Sequence, residues 1–287
     1  MKKIILSVLM AAASSLSIIA ADYPKAQIKA VYTYKYLIRH TAGHDIENTD
    51  NMMLLASPVA SRFFSVNTEQ YDSLMARPDG KEKYQLMSRE AMKDAIVHEN
   101  GEMRIDMSRV KKPLDGVAFQ VTRKPDADVL DVYDSMAKED YVYQVPMSDL
   151  LWEVGDSVKT ILGYECQQAV SDYHGRRWTA WFAPDVPVSS GPWQLMGLPG
   201  LIMEAESDGG EYSFTITGLE AADCPITPRP GERDLFKTTR KKFLAEKRDR
   251  HLNPEKYMPG VTLVNRDDAM KAALSHDLIE TDYKDKQ

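Results

Sequence analysis

Ala30, Tyr32, Tyr34 and Tyr36 recur at every second position within 29–39, and a period of two rich in aromatic residues predicts a β-strand with one buried face. Short apolar runs at 51–55 and 61–66, divided by Ser57-Pro58, predict two more strands. After Asp79-Gly80 the period changes. Tyr84, Met87, Ala91, Met92, Ala95 and Ile96 fall at helical spacing, which predicts one amphipathic helix over 79–98 with its apolar stripe packed on the sheet. Strand patterns return at 116–122, 129–133, 141–145 and 150–154.

The stretch 163–220 is the most legible. Runs 164–172 and 176–182 flank His174-Gly175, a hairpin turn because glycine supplies the positive φ such turns need. Leu198-Pro199-Gly200-Leu201 carries the residue order of a type II turn and aims 201–205 into a strand. Asp208-Gly209-Gly210 then reverses the chain into 212–219, where Tyr212, Phe214 and Ile216 alternate with polar residues. The sum is an antiparallel meander: a mainly β (α+β) protein built on a curved sheet or open half-barrel with a few packed helices. The domain would span 22–228. A basic extension over 229–287 follows, with ten Lys or Arg against five Asp or Glu between 229 and 256, a helix-compatible run there and a second helix near 266–279. A solvated helix face, or contact with an anionic surface, fits that charge; the tail 282–287 is expected to fray.

Composition narrows the function. A formal charge of −7 over 287 residues argues against a general nucleic-acid binder. Lys2 and Lys3, an apolar run over 4–13 and small residues up to Ala20-Ala21 form the pattern of an export signal over 1–21, with no cysteine nearby for lipid anchoring. No later run approaches a membrane span. The mature chain is therefore expected in the periplasm or outside the cell. An oxidising compartment permits a Cys166–Cys224 bridge, which would close 58 positions and stabilise by about 4 kcal/mol on chain-entropy grounds; the alternative is two unrelated thiols.

Catalytic patterns are missing. His40, His44 and Asp45 carry zinc-type side chains, but they follow a β run and include Gly43, so a polar hairpin loop accounts for them. His98-Glu99 lacks the second histidine of a zinc-peptidase motif, and Glu204 with Glu206 is the kind of pair any acidic chain supplies. No metal or cofactor is assigned. The candidate binding residues are aromatic and basic. Trp178 and Trp181 lie on opposite faces of one strand, so at most one enters the main core; the other, with Trp193, would line a pocket or an exposed aromatic surface. Arg176 and Arg177 follow a turn and either pair with carboxylates or meet a ligand.

Gly197-Leu198-Pro199-Gly200-Leu201-Ile202 is the signature hexapeptide of the GLPGLI family of exported Bacteroidota proteins, and the chain resembles that family beyond it. Ile161-Leu162-Gly163-Tyr164-Glu165-Cys166-Gln167 is similar to the family's "ILGYKCQKA" strand, and Gly175-Arg176-Arg177-Trp178-Thr179-Ala180-Trp181-Phe182 to its "GRxWTAWF" strand. The hexapeptide itself is either a structural turn or a rim that a partner grips. The resemblance implies export and carries no catalytic residues with it. By analogy of fold alone, the expected sheet is like the half-barrel of periplasmic lipoprotein carriers. Two functions follow: an exported periplasmic or outer-membrane-associated binding or accessory protein holding a lipid, peptide or envelope partner, or a peptidase-like hydrolase with scattered active-site residues.

Overall fold

The computed structural model describes residues 23–283 apart from 42–43, 94, 100–101, 106–111, 138, 230–233 and 258–277. The expected signal at 1–21, the heart of the expected helix near 266–279, and 284–287 of the tail lie outside the described residues.

The long tyrosine strand is β1 (Lys25–Thr41), paired along its length with β2 (His44–Ala56). β3 (Ser61–Ser65) follows, then helix α1 (Val66–Met75), whose first turn is capped by Ser65 Oγ accepting from the Thr68 amide at 3.2 Å. Helix α2 (Gly80–Lys93) and the small hairpin β4 (Ile96–Glu99) with β5 (Glu102–Ile105) form an excursion. The chain returns as β6 (Gln120–Arg123), β7 (Val129–Met136) and β8 (Glu139–Pro146), then β9 (Glu153–Ile161), β10 (Tyr164–Tyr173), β11 (Arg176–Ala183), β12 (Leu201–Ser207) and β13 (Tyr212–Pro225). A short β14 (Leu235–Lys237) leads into helices α3 (Arg240–Leu252) and α4 (Pro254–Tyr257).

Twelve strands form one sheet in the order β14-β8-β7-β6-β3-β2-β1-β13-β12-β11-β10-β9, antiparallel except where β14 joins β8. The sheet is strongly curved. Phe63 on β3 and Phe214 on β13 are three strand spacings apart, about 14 Å in a flat sheet, yet their ring centroids lie 5.9 Å apart. Only a sheet that folds toward one face brings such side chains together, and that face carries the core: Tyr32, Tyr34, Phe63, Trp178, Phe182 and Phe214 are all buried there.

Several sequence expectations change. The helix over 79–98 ends at Lys93, and Ile96 starts β4. Its stripe does not pack on the sheet, because Met87, Met92 and Ile96 are exposed and Tyr84 meets Tyr71 of α1 edge-on at 5.1 Å. Helix α1 was not foreseen, its mixed composition giving little apolar period. The strand expected over 116–122 is regular only from Gln120, and that over 150–154 starts at Glu153 and runs to Ile161. Leu235–Lys237 forms a strand where a helix was expected. His174 and Gly175, with φ of +52° and +81°, form the expected hairpin. At Pro199 the expected type II turn is replaced by a tighter one, in which the Gly200 amide donates to Leu198 O at 2.8 Å. Leu201 N donates instead to Val186 O, because the connection 184–200 folds under β12. Gly200 is required there: its φ is +154°, and a Cβ would sit 2.2 Å from Ala183 O.

Of the two alternatives for the cysteines, the structure shows the unbridged one. Cys166 and Cys224 are free thiols on β10 and β13, three strand spacings apart in the sheet, with Cys224 pairing with Ala26 inside β13 rather than past its end. Burial pushes the Cys166 thiol pKa up. The tail is also corrected: Tyr283 is buried and Thr281 N donates to His174 O at 2.9 Å, so 278–283 is docked.

Candidate functional site

The curved face encloses a cavity of about 360 Å³. Its wall is aromatic because β1 and β13 are in register: Tyr34 pairs with Phe214 and Tyr36 with Tyr212, so one face carries successive rings. Tyr34 stacks on Phe214 at 4.6 Å and on Tyr36 at 4.9 Å, and meets Phe119 edge-on at 5.7 Å. Trp193, Leu244 of α3 and Leu278 complete the apolar lining.

At one end of this cavity lies a buried polar cluster that links distant elements. Glu280 is 1 % exposed. Its Oε1 accepts from Gln194 Nε2 at 3.0 Å and Tyr143 OH at 3.3 Å, and its Oε2 accepts from Arg240 Nε. Arg240 also donates through Nη2 to Asp282 and to His174 Nδ1, the latter at 2.7 Å. Tyr173 OH donates to Gln194 Oε1 at 3.3 Å. Burial raises the Glu280 pKa, opposed by Arg240. Burial and the Arg240 charge depress that of His174 to about 4. The imidazole is therefore neutral near pH 7, and because Nδ1 accepts from Arg240 its proton resides on Nε2. That Nε2 has no hydrogen-bond partner; Glu280 Oε2 stands 3.9 Å away.

The Glu280 carboxylate is satisfied by three donors, and His174 Nδ1 accepts from Arg240, with an Asp282 carboxylate oxygen 3.4 Å away. The cavity above it can take apolar groups and offers the Asp134–Lys247 ion pair, 2.5 Å, at its rim.

The sequence candidates separate. Trp178 is fully buried and Trp193 nearly so, 5.4 Å apart, and only Trp193 reaches the cavity. Trp181, on the opposite face as expected, is half-buried beneath Lys159, whose Nζ lies 4.5 Å from the ring and pairs with Glu204. Arg176 pairs with Glu211 and donates to Leu278 O at 2.8 Å and Ile279 O at 2.9 Å, holding the C-terminal segment. Arg177 meets Asp172 at the surface. Of the hexapeptide, Leu198, Gly200, Leu201 and Ile202 are buried while Gly197 and Pro199 are exposed. The cluster itself was missed in the sequence. Its members are spread from Tyr143 to Asp282, and the one visible signal was His174 in a hairpin turn. Part of the basic segment pairs with distant carboxylates, Lys247 with Asp134 and Arg229 with Asp72 as well as Arg240 with Glu280, whereas Lys256 pairs with Asp249 at the surface and Lys241 and Lys242 are exposed.

A second cavity of about 460 Å³ lies beyond β6 to β8, against Ile226 and Arg229. It also carries charged residues, with Asp134, Asp140 and Arg229 in its lining, but not the stacked rings of Tyr34 and Tyr36. Among the described residues no group of three or more His, Cys, Asp or Glu could hold a metal ion, and no helix is long and apolar enough to cross a membrane.

A family described as "Protein of unknown function (Porph_ging)" matches residues 173–204, which include His174, Trp193, Gln194 and the hexapeptide. No curated protein matches. Among solved structures, PNGF-II in space group P21 is similar at 12 % identity and a TM-score of 0.45, over 76 % of this chain and 32 % of that one. PNGF-II in space group C2 gives 12 % and 0.43, over 75 % and 32 %. This chain thus spans about a third of the PNGF-II chains. The LolA superfamily protein NE2245 from Nitrosomonas europaea gives 8 % identity and a TM-score of 0.25, over 71 % of this chain and 89 % of that one.

Proposed function

We propose that this chain is an exported binding or accessory protein of the GLPGLI family, acting in the periplasm or at the outer membrane, that holds an apolar group of a lipid or peptide in the cavity beside Trp193. The observation that carries the reading is the aromatic wall of Tyr34, Tyr36 and Phe119 facing a 360 Å³ space, closed at one end by buried ion pairs. Export is supported by the charged and apolar pattern of 1–21, and the family by 161–202 together with the match over 173–204.

Titration with a neutral apolar fluorophore such as N-phenyl-1-naphthylamine tests it. Saturable 1:1 enhancement, lost when Ala118 in the cavity lining is replaced in Ala118→Trp with an unchanged circular dichroism spectrum, is the expected result. No enhancement, or the same enhancement in the variant, together with no co-purifying mass in native mass spectrometry, defeats the proposal.

A hydrolase is the second reading, favoured by His174 lying 3.4 Å from an Asp282 carboxylate oxygen with its Nε2 open. Against it, Arg240 occupies Nδ1 and leaves the proton on Nε2, so the ring does not donate from Nδ1 to Asp282 and has no free nitrogen to act as a base. Peptide or ester turnover that vanishes in His174→Asn, while the variant remains folded, would favour the hydrolase.

A further inference from the structure

We propose that the cavity of about 460 Å³ beside β6 and β7 is a second binding site, built for a neutral saccharide. Val121 of β6 and Val132 of β7 enter the main core, so Gln120, Thr122 and Tyr133, which alternate with them, point away from it and line this cavity. Gln120 and Tyr133 are paired across the two strands, and Thr122 lies two residues along from Gln120 on the same face. One wall is formed where Ile226 N donates to Pro24 O at 2.8 Å. Arg229 fastens the following segment to Asp72 of α1 and Asp140 of β8. The walls are thus held in place by the protein's own contacts.

Three polar groups of this floor are left unspent. Gln120 is 3 % exposed, and Arg62 donates to its Oε1 from Nε at 3.1 Å and from Nη2 at 2.8 Å. Arginine only donates, so the amide orientation is fixed, and Gln120 Nε2 is left without a partner among the described residues. Thr122 Oγ1 is buried without a partner, and Tyr133 OH makes no hydrogen bond to the described residues. Buried polar groups are nearly always satisfied, so an amide donor and two hydroxyls gathered at one cavity call for a ligand rich in oxygen. The ligand's charge follows from the lining. Lys124 pairs with Asp131 at 2.6 Å and Asp134 with Lys247 at 2.5 Å, while Arg123 donates to Ser189 O and Pro58 O. With Arg229 also held by carboxylates, the charges of the lining are already answered, which favours a neutral guest. Pro24, Pro125, Ile226 and Pro228 add rigid apolar faces. A sugar ring meets both demands, with hydroxyls that donate and accept at its rim and a C–H face for the prolines and the Tyr133 ring. A hydrocarbon chain would strip water from Gln120 and Tyr133 and return no hydrogen bond.

Saturation-transfer difference NMR on the full chain, with maltose, cellobiose and lactose as probes, tests the site. At least one of the three is expected to bind saturably. Gln120→Glu keeps an acceptor for Arg62 and removes the donor, and should weaken that binding about tenfold; Tyr133→Phe removes only a hydroxyl and should weaken it about threefold. Circular dichroism identifies the folded variants, and Tyr133→Phe keeps the test decisive if Gln120→Glu unfolds. Binding of none of the three disaccharides, or an affinity unchanged in either folded variant, would overturn the proposal. So would tighter binding of glucuronic acid, which would make the site anionic in preference, or of a tetraproline peptide with blocked ends, which would assign the cavity to a polypeptide.

Discussion

Tyr143 and Gln194 donate to the same oxygen, Glu280 Oε1, at 3.3 and 3.0 Å, although six strands separate β8, which carries Tyr143, from β12, which Gln194 precedes. The sheet curls until its two wings reach one buried carboxylate. Residues 278–283 act as the tie across the opening, and Arg240, at the start of α3, neutralises it.

Removing Arg240 should therefore cost far more than an ordinary surface arginine. Arg240→Ala leaves Glu280 buried without its cation, a loss of about 3–5 kcal/mol. Urea unfolding should show a lower midpoint, and Glu280→Gln in the same background should restore part of it. An unchanged midpoint for the single variant would contradict the role of the tie.

Acid should loosen the same site. The folded-state pKa of His174, about 4, lies below its ordinary 6.5. The unfolded chain thus binds a proton first as pH falls, and stability present above about pH 6.5 drains away down to about pH 4, by roughly 2–3 kcal/mol. Glu280 works in the other direction, since its raised pKa contributes stability that is lost as pH climbs through the folded value. His174→Asn keeps the left-handed backbone and an acceptor for Arg240 but does not titrate. Its thermal midpoint should vary less between pH 6.5 and 4 than that of the parent chain.

Gly175 gates the docking of the tail. Its φ is +81°, and a Cβ would lie 2.2 Å from Thr281 Oγ1 and 2.9 Å from Asp282 N. Gly175→Ala should release 278–283 before it harms the sheet, and hydrogen exchange at the Thr281 amide should accelerate while β1 and β13 stay protected.

The two tryptophans of β11 should differ. Trp178→Ala opens a hole in the core and should cost about 3–5 kcal/mol. Trp181→Ala removes a half-buried ring and its contact with Lys159, so its unfolding midpoint should fall distinctly less. Equal losses would mean that the two faces of β11 are not distinguished as described.

Both thiols should be titratable. Ellman's reagent should find two free thiols in the unfolded, unreduced chain, whereas in the native chain the half-buried Cys224 should react ahead of the fully buried Cys166. Finding none would restore the bridge.

Local signals carried the strands well. Alternation in 30–36 and 212–216 shows directly in the sequence because a strand's two faces are set by neighbouring residues, and the positive φ at His174-Gly175 is a property of two adjacent positions. The helix 80–93 was visible for the same reason, but its stripe misled about where it packs, since periodicity reports a shared face and not what covers it. The cavity beside Trp193 could not be seen, because it depends on how far the sheet bends.

What the sequence by itself determined was therefore the β class, the hairpins, the opposition of Trp178 and Trp181, and the glycines that the turns demand. Tertiary structure alone decided the free state of Cys166 and Cys224, the pairing of Arg229 and Lys247 with distant carboxylates, and the meeting of His174, Arg240 and Glu280. Those contacts join positions up to 157 apart. No local preference encodes them; they exist because curvature brings separated strands within hydrogen-bond reach, and a buried charge must then find its partner.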